Sequence, residues 1–219
     1  MINALITGAT GMTGSLILDH CLESRAIGMV SVIGRRPTGR QHPKLREYLH
    51  EDFEDFSQAQ KVFEQVDVVY YCLGVYTGQV SKEDFEKITL NYTKAFADAL
   101  KAHSPNAVFC FLSGSGADRK EKSKMAFARF KGMAENYLHK LELDLYCFRP
   151  AYIYPVHKRK EPNFMYTLSR ALYPIIRLFG PTASIKSTQL AQAMFLVGIR
   201  GHHLEILKNK DIIRVVKHR

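Results

Sequence analysis

The stretch ALITGATGMTGSLILDHCLES, from Ala4 to Ser24, sets the strongest constraint on the fold. An apolar run of strand length is followed by Gly8, Gly11 and Gly14, and then by Leu16, Leu18 and Cys21 at helical spacing. Glycines three residues apart at a strand-to-helix junction permit a tight turn and a close approach of backbone to whatever lies opposite.

The same alternation continues. MVSVIG reads as a second strand, KLREYLHED as a weaker third and FSQAQKVFEQ as a helix. VDVVYYCLG reads as a buried strand, DFEKITLNYTKAFADALKAH as a long helix, NAVFCFLSG as a strand, Lys124 to Leu141 as a helix and LDLYCFRP as a strand. Near-continuous apolar strands separated by helices predict a parallel sheet covered on both faces, the doubly wound α/β arrangement of the Rossmann type. After Pro150 the texture changes to a loop rich in proline and charge, PAYIYPVHKRKEPNF, followed by helical stretches near 164–178 and 188–199, the apolar run HLEILKN and a final DIIRVVK. Too little chain remains there for an independent core. The expectation is therefore one domain over 1–219, with 151–219 forming a small region on the substrate side.

Bulk properties narrow the class. A chain of 219 residues that is 46% hydrophobic can bury a full core, and no apolar run approaches the roughly 20 residues of a membrane span. The N-terminal apolar run lacks a basic flank and is broken by glycines and threonines, so it does not read as a targeting signal. FMYTLSRALYPIIRLFG is compatible with a membrane surface, but packing onto the main domain or a partner subunit is the favoured reading. The four cysteines, Cys21, Cys72, Cys110 and Cys147, fall on apolar runs without metal-like spacing, which predicts reduced core residues, no metal and a cytoplasmic protein. The net charge of +10 is scattered and accompanies no nucleic-acid-binding motif, so specific nucleic-acid binding is not expected.

The glycine loop carries the first chemistry. Gly8, Thr10, Gly11, Met12, Thr13 and Gly14 form an expected anion cradle, with the amides of Met12 and Thr13 at a helix N-terminus where the dipole favours a pyrophosphate. At the end of the second strand, where a carboxylate would suit a free ribose hydroxyl, the chain has Arg35 and Arg36. A guanidinium suits a 2′-phosphate, so NADP(H) is expected in preference to NAD(H), which stays the alternative. Asp52 and Phe53 either edge the adenine or form an exposed turn. Cys72, Leu73 and Gly74 end the fourth strand, where glycine lets the chain pass close to a cofactor.

TGATGMTG, CLG, Asn91, SGSGAD, Lys131 and FRP occur in the order and spacing of the short-chain dehydrogenase/reductase superfamily. The chain resembles its atypical branch, the NAD(P)H-binding proteins similar to NmrA and to the Tat-interacting oxidoreductase-like proteins. The resemblance implies a Rossmann fold, bound NADP(H) and a C-terminal region over the cofactor. It also implies a serine after the fifth strand and a Tyr-x-x-x-Lys pair, in which the ammonium lowers the phenol's pKa so that it can exchange a proton with a carbonyl compound. FARFK puts Lys131 at the lysine position and Phe127 at the tyrosine position. Phenylalanine has no proton to give. SGSGAD registers in two ways, leaving Ser113 and Ser115 both as candidates, each of which also reads as a turn or cap residue. Tyr76 is the best substitute donor, ahead of Tyr152 and Tyr154, and His157 reads as exposed.

The expected function is that of an NADP(H)-binding reductase or isomerase of a small carbonyl compound with a non-standard proton donor. The alternative is a non-catalytic redox sensor acting through a regulatory protein partner. The superfamily's habit of pairing through helices adds a homodimer as an expectation.

Overall fold

Alternation along the strands decides how the sheet is buried, and it is visible residue by residue. The computed structural model describes residues 1–75, 78–157, 173, 180 and 182–217. Its elements are β1 (Ile2–Thr7), α1 (Met12–Glu23), β2 (Ile27–Gly34), β3 (Leu45–Leu49), a 3-10 turn (Gln60–Phe63), β4 (Val68–Tyr71), α2 (Lys82–Glu86), a π turn (Lys87–Asn91), α3 (Tyr92–His103), β5 (Val108–Leu112) and α4 (Ala126–Lys140). They continue with β6 (Asp144–Arg149), β7 (Tyr152–Tyr154), β8 (Ser184–Lys186), α5 (Ser187–Arg200), β9 (Ile206–Lys208) and α6 (Asn209–Lys217). Among the described residues seven strands form one parallel sheet in the order β3-β2-β1-β4-β5-β6-β9. That is the expected Rossmann order, with β9 as a further edge strand.

Ala4, Ile6, Val68, Tyr70, Cys110 and Phe148 point to one face, where they pack with Ile17, Leu18, Leu190 and Met194. Leu5, Val69, Tyr71, Phe109, Phe111 and Cys147 point to the other, with Phe63, Phe96, Ala134 and Leu138. One face is thus closed by α1 and α5, the other by α3 and α4. The stretch expected to cap the substrate side therefore divides. Tyr152 and Ile153 stay near the carboxyl ends of the strands, whereas α5 covers a sheet face and β9 extends the sheet.

FSQAQKVFEQ forms only the 3-10 turn, not the expected helix. Phe56 and Phe63 lie edge-on at 5.2 Å, and each also packs edge-on against Phe96, at 5.7 and 5.0 Å. That aromatic cluster pins both ends of the segment, and Gln65 at φ 55° closes it. The long helix of the sequence is present but passes through the π turn, a local widening that recurs at functional sites. The helix expected near 164–178 lies outside the described residues, apart from Tyr173. Among the described residues no helix is long and apolar enough to cross a membrane.

The packing of α5 depends on one missing methyl group. Tyr70 donates its hydroxyl to the Phe195 carbonyl at 3.1 Å, and a Cβ on Gly198 would meet that hydroxyl at 2.5 Å. Gly198→Ala is expected to cost about 1–3 kcal/mol through overpacking, read as a lower midpoint in urea unfolding. An unchanged midpoint would mean that α5 is free to shift.

Candidate functional site

The carboxyl ends of β1 and β4 meet where strand order reverses, with the Cys72 amide donating to the Thr7 carbonyl at 3.0 Å. Gly8 has φ 76°, and a Cβ there would lie 2.5 Å from the Cys72 carbonyl oxygen. A Cβ on Gly14 would run into the Gly8 carbonyl. The Gly11 amide closes the turn onto Gly8 at 2.9 Å, and α1 starts at Met12 with no side-chain cap and no acid in its first turn. Among the described residues the Met12 and Thr13 amides have no acceptor, the condition that makes a helix start receptive to an anion.

A cavity of about 570 Å³ opens there. Gly11, Met12 and Thr13 line one side, Cys72, Leu73 and Gly74 another, and Ser113, Ser115, Phe127, Lys131 and Tyr152 the rest. Its size falls in the range of small-molecule and cofactor sites. Leu73 also borders a smaller cavity of about 60 Å³ lined by Gly8, Thr10, Arg35, Arg36 and Phe53. Thr7 lines it too, with a buried hydroxyl that has no hydrogen-bond partner among the described residues. Arg35 and Arg36 are exposed and make no ion pair among the described residues. Asp52 is not brought to this edge. Its carboxylate accepts the Glu54 amide at 2.9 Å in a local turn and borders neither cavity, so only Phe53 of that pair joins the site.

The β5–α4 side separates the two serines. Ser113 donates its hydroxyl to Glu135, which also receives Arg119 Nε at 2.9 Å and Arg149 through Nε and Nη2. Arg119 reaches on to Glu205 at 2.6 Å. Glu135 is completely buried: desolvation pushes its carboxyl up, yet the hydrogen bonds from Arg149, Ser113 and Arg119 together hold it below its ordinary value. Ser115 instead lies exposed on the cavity wall, its amide fixed to the Pro150 carbonyl at 2.8 Å and its hydroxyl unpartnered among the described residues. Ser113 is thus engaged beneath the cavity, while Ser115 faces it.

Lys131 is 8% exposed and donates from Nζ to the Leu112 carbonyl at 2.8 Å, 4.6 Å above the Phe111 ring. Burial pulls its amine down to about 8, with Glu135 one turn further along α4 resisting. Phe127 also borders the cavity, and its ring stands end-on to the loop. A Cβ on Gly114 would meet Phe127 Cζ first, with the two Cε atoms behind it at 3.2 and 3.4 Å. Nearly equal Cε distances mean that the ring axis aims at Gly114. Tyr76 lies outside the described residues. Tyr154 stacks on Tyr173 at 3.8 Å between centroids, and His157 is exposed beside a separate cleft with Thr10, Ser15 and Ser187. Sequence reasoning missed Thr89, which the π turn brings to the cavity, and Glu135, whose signal was its place four residues after Lys131 on the apolar face of α4.

The profile of the NAD dependent epimerase/dehydratase family matches residues 4–169, a span running from β1 past the last cavity-lining residues. The chain belongs to that family. Protein HTATIP2 of Rattus norvegicus is 26% identical over 98% of this chain and 89% of its own length. Protein fmp52, mitochondrial, of Aspergillus niger is 27% identical over 66% of this chain and 63% of its own. Among solved structures, the Bordetella bronchiseptica enzyme WbmF in complex with NAD+ superposes with a TM-score of 0.71 at 14% identity, covering 99% of this chain and 78% of that one. UDP-glucuronic acid 4-epimerase from Bacillus cereus in complex with NAD gives a TM-score of 0.71 at 16% identity, covering 94% and 78%. These structural likenesses are likenesses of fold. The kinship read from the motifs, to the superfamily and its Tat-interacting branch, is upheld.

Two outcomes follow from the α4 face of this family member. A hydroxyl on Phe127 Cζ would extend straight into Gly114, so Phe127→Tyr is expected to lower stability by about 1–3 kcal/mol in urea unfolding. An equal midpoint would mean that the ring tip has room. Lys131 titrates at about 8 folded and at its ordinary 10.5 unfolded, so the unfolded chain binds more protons between those values and stability rises with pH across that window. The wild type should gain roughly 3 kcal/mol over Lys131→Met between the two ends. Parallel pH curves for the two proteins would refute the buried-cation account.

Proposed function

We propose that the protein binds a pyridine dinucleotide in this crevice, NADP(H) in preference to NAD(H), and acts on a small carbonyl compound as a reductase or isomerase. The observation that carries the reading is the uncapped start of α1 behind a glycine loop that admits no Cβ at Gly8 or Gly14. Met12 and Thr13 amides would hold the diphosphate, and Phe53 would border the adenine side. Arg35 and Arg36, open and free of carboxylates, would meet a 2′-phosphate. The orphaned Thr7 hydroxyl in the smaller cavity fits an occupant there, because a buried hydroxyl without a partner is costly. When bound, the dinucleotide supplies the carbon that gives or takes a hydride. Lys131 would orient the ribose beside it, Ser115 would hold a carbonyl oxygen, and the apolar wall of Leu73, Leu112, Phe127 and Ile153 would exclude water. The neighbours solved with NAD share 14–20% identity with this chain, and the arginine pair is what turns the preference toward the phosphorylated form.

A second reading has its own support. Phe127 offers no phenol and Ser113 is held by Glu135, which suits a dinucleotide-binding regulator acting through a protein partner. Four cysteines without disulfides suit a reducing compartment such as the cytoplasm under either reading.

Calorimetry with NADPH and NADH tests the cofactor. The double variant Arg35→Ser/Arg36→Ser should lose roughly tenfold to a hundredfold in NADPH affinity, about 1.4–2.8 kcal/mol, and leave NADH nearly unchanged. No heat with either dinucleotide would overturn the reading. NADPH oxidation with a panel of aldehydes and ketones separates the two functions, since turnover supports the enzyme and tight binding without turnover supports the regulator.

A further inference from the structure

The cavity needs a proton source if it is to reduce a carbonyl group, and the three positions from which the superfamily pattern leads one to expect help are unequal. Phe127 has no exchangeable proton, and its tip is sealed against Gly114, so no phenol fits at that helix position without displacing the loop. The Ser113 proton is committed to Glu135. Ser115 can donate a hydrogen bond, but an aliphatic hydroxyl does not release a proton near neutrality.

Lys131 differs from all three. It lines the cavity, its three N–H bonds include one fixed on the Leu112 carbonyl, and two remain. One can meet a sugar hydroxyl and one a substrate oxygen. No carboxylate lies within ion-pair distance of Nζ among the described residues. The nearest carboxylate along its own helix, Glu135, is already taken up by Arg119, Arg149 and Ser113. A desolvated ammonium with no counter-ion is a stronger acid than one in water.

We propose that Lys131 itself delivers the proton taken up by a carbonyl oxygen in this cavity, in place of the phenol that Phe127 lacks. The inference rests on the reading that a pyridine dinucleotide binds here. A carbonyl carbon that accepts a hydride from the reduced dinucleotide leaves the C=O electron pair on oxygen. An N–H bond of the Lys131 ammonium breaks as the O–H bond forms, and the neutral amine regains a proton from water. In the opposite direction the neutral amine takes the alcohol proton.

The groups that face Lys131 leave it as the one that titrates near neutrality. Glu135 on α4 stays ionised, burial pushes the Cys72 thiol after β4 up to about 12, and burial pushes Cys147 on β6 up further. Lys131, at about 8, is mostly protonated at neutral pH and readily regains its proton there. Tyr152 also borders the cavity and is the rival donor.

Two measurements on the whole protein decide it. Reductive methylation with formaldehyde and cyanoborohydride, followed peptide by peptide by mass spectrometry across pH without dinucleotide, should label Lys131 with a midpoint near 8 and surface lysines near the ordinary value of about 10.4. With saturating NADPH and an aldehyde from the panel, kcat should fall as pH rises through about 8. Lys131→Arg, which keeps the charge but cannot give up a proton, should still bind NADPH in the calorimeter and lose roughly a hundredfold in kcat. Tyr152→Phe should keep the pH limb. A Lys131 midpoint with the surface lysines, full kcat in Lys131→Arg, a limb that disappears in Tyr152→Phe, or NADPH binding without any turnover each overturns the inference alone. Absence of binding heat overturns the dinucleotide reading and takes the inference with it.

Discussion

Everything at the site depends on how closely the β1–α1 loop runs against the end of β4. The Thr7 carbonyl takes the Cys72 amide, Gly8 leaves no room for a side chain beside the Cys72 carbonyl, and Gly14 leaves none beside Gly8. Three backbone segments are therefore in contact where strand order reverses, and the start of α1 is held over the gap between β1 and β4. A pocket built this way is made of peptide groups, so its shape tolerates wide variation in the surrounding side chains. This construction also fixes what the pocket prefers: a row of unsatisfied N–H groups and a helix dipole favour an anion whatever else lines the wall.

The opposite wall is held by side chains, and its centre is Glu135. Burying a carboxylate is costly, and removing one partner from such a cluster leaves an uncompensated charge. Here two guanidiniums and a serine hydroxyl saturate it, tying β5, α4, β6 and the approach to β9 into one knot. The knot has a second effect within one helical turn. Glu135 makes no ion pair with Lys131 among the described residues and acts on it only through space, raising its pKa against the larger effect of burial.

The sheet was legible because burial on both faces demands apolar residues at every strand position, and the helices because their apolar residues recur at three and four. The glycine loop was legible because its spacing has few other uses. What was not legible depends on contacts between distant segments. Phe56, Phe63 and Phe96 decide that residues 60–63 form a 3-10 turn, and nothing local to that stretch records Phe96. Ser113 and Ser115 are equivalent in a turn-rich hexapeptide until Glu135, some twenty residues away, claims one of them. HLEILKN could not be assigned to the sheet from its own three-residue strand, because pairing with β6 is what makes it one. Asp52 and Phe53 look like a pair in sequence, yet in the local turn Asp52 stays exposed with its carboxylate on the Glu54 amide, and only Phe53 is buried.

Phe127 and the close β5–α4 junction go together. A ring that ended in a hydroxyl would need space beyond Cζ, and Gly114 occupies that space. This junction also holds the amide of Ser115 on the Pro150 carbonyl, and Ser115 lines the cavity. The chemistry open to the cavity is consequently set by the groups that still face it, a serine that can hold an oxygen and a lysine whose charge is only lightly held. Below about pH 8 that lysine is a cation, able to orient a sugar hydroxyl and to release a proton from the same nitrogen. A buried ammonium has three directed N–H bonds, and among the described residues the protein uses one of those of Lys131.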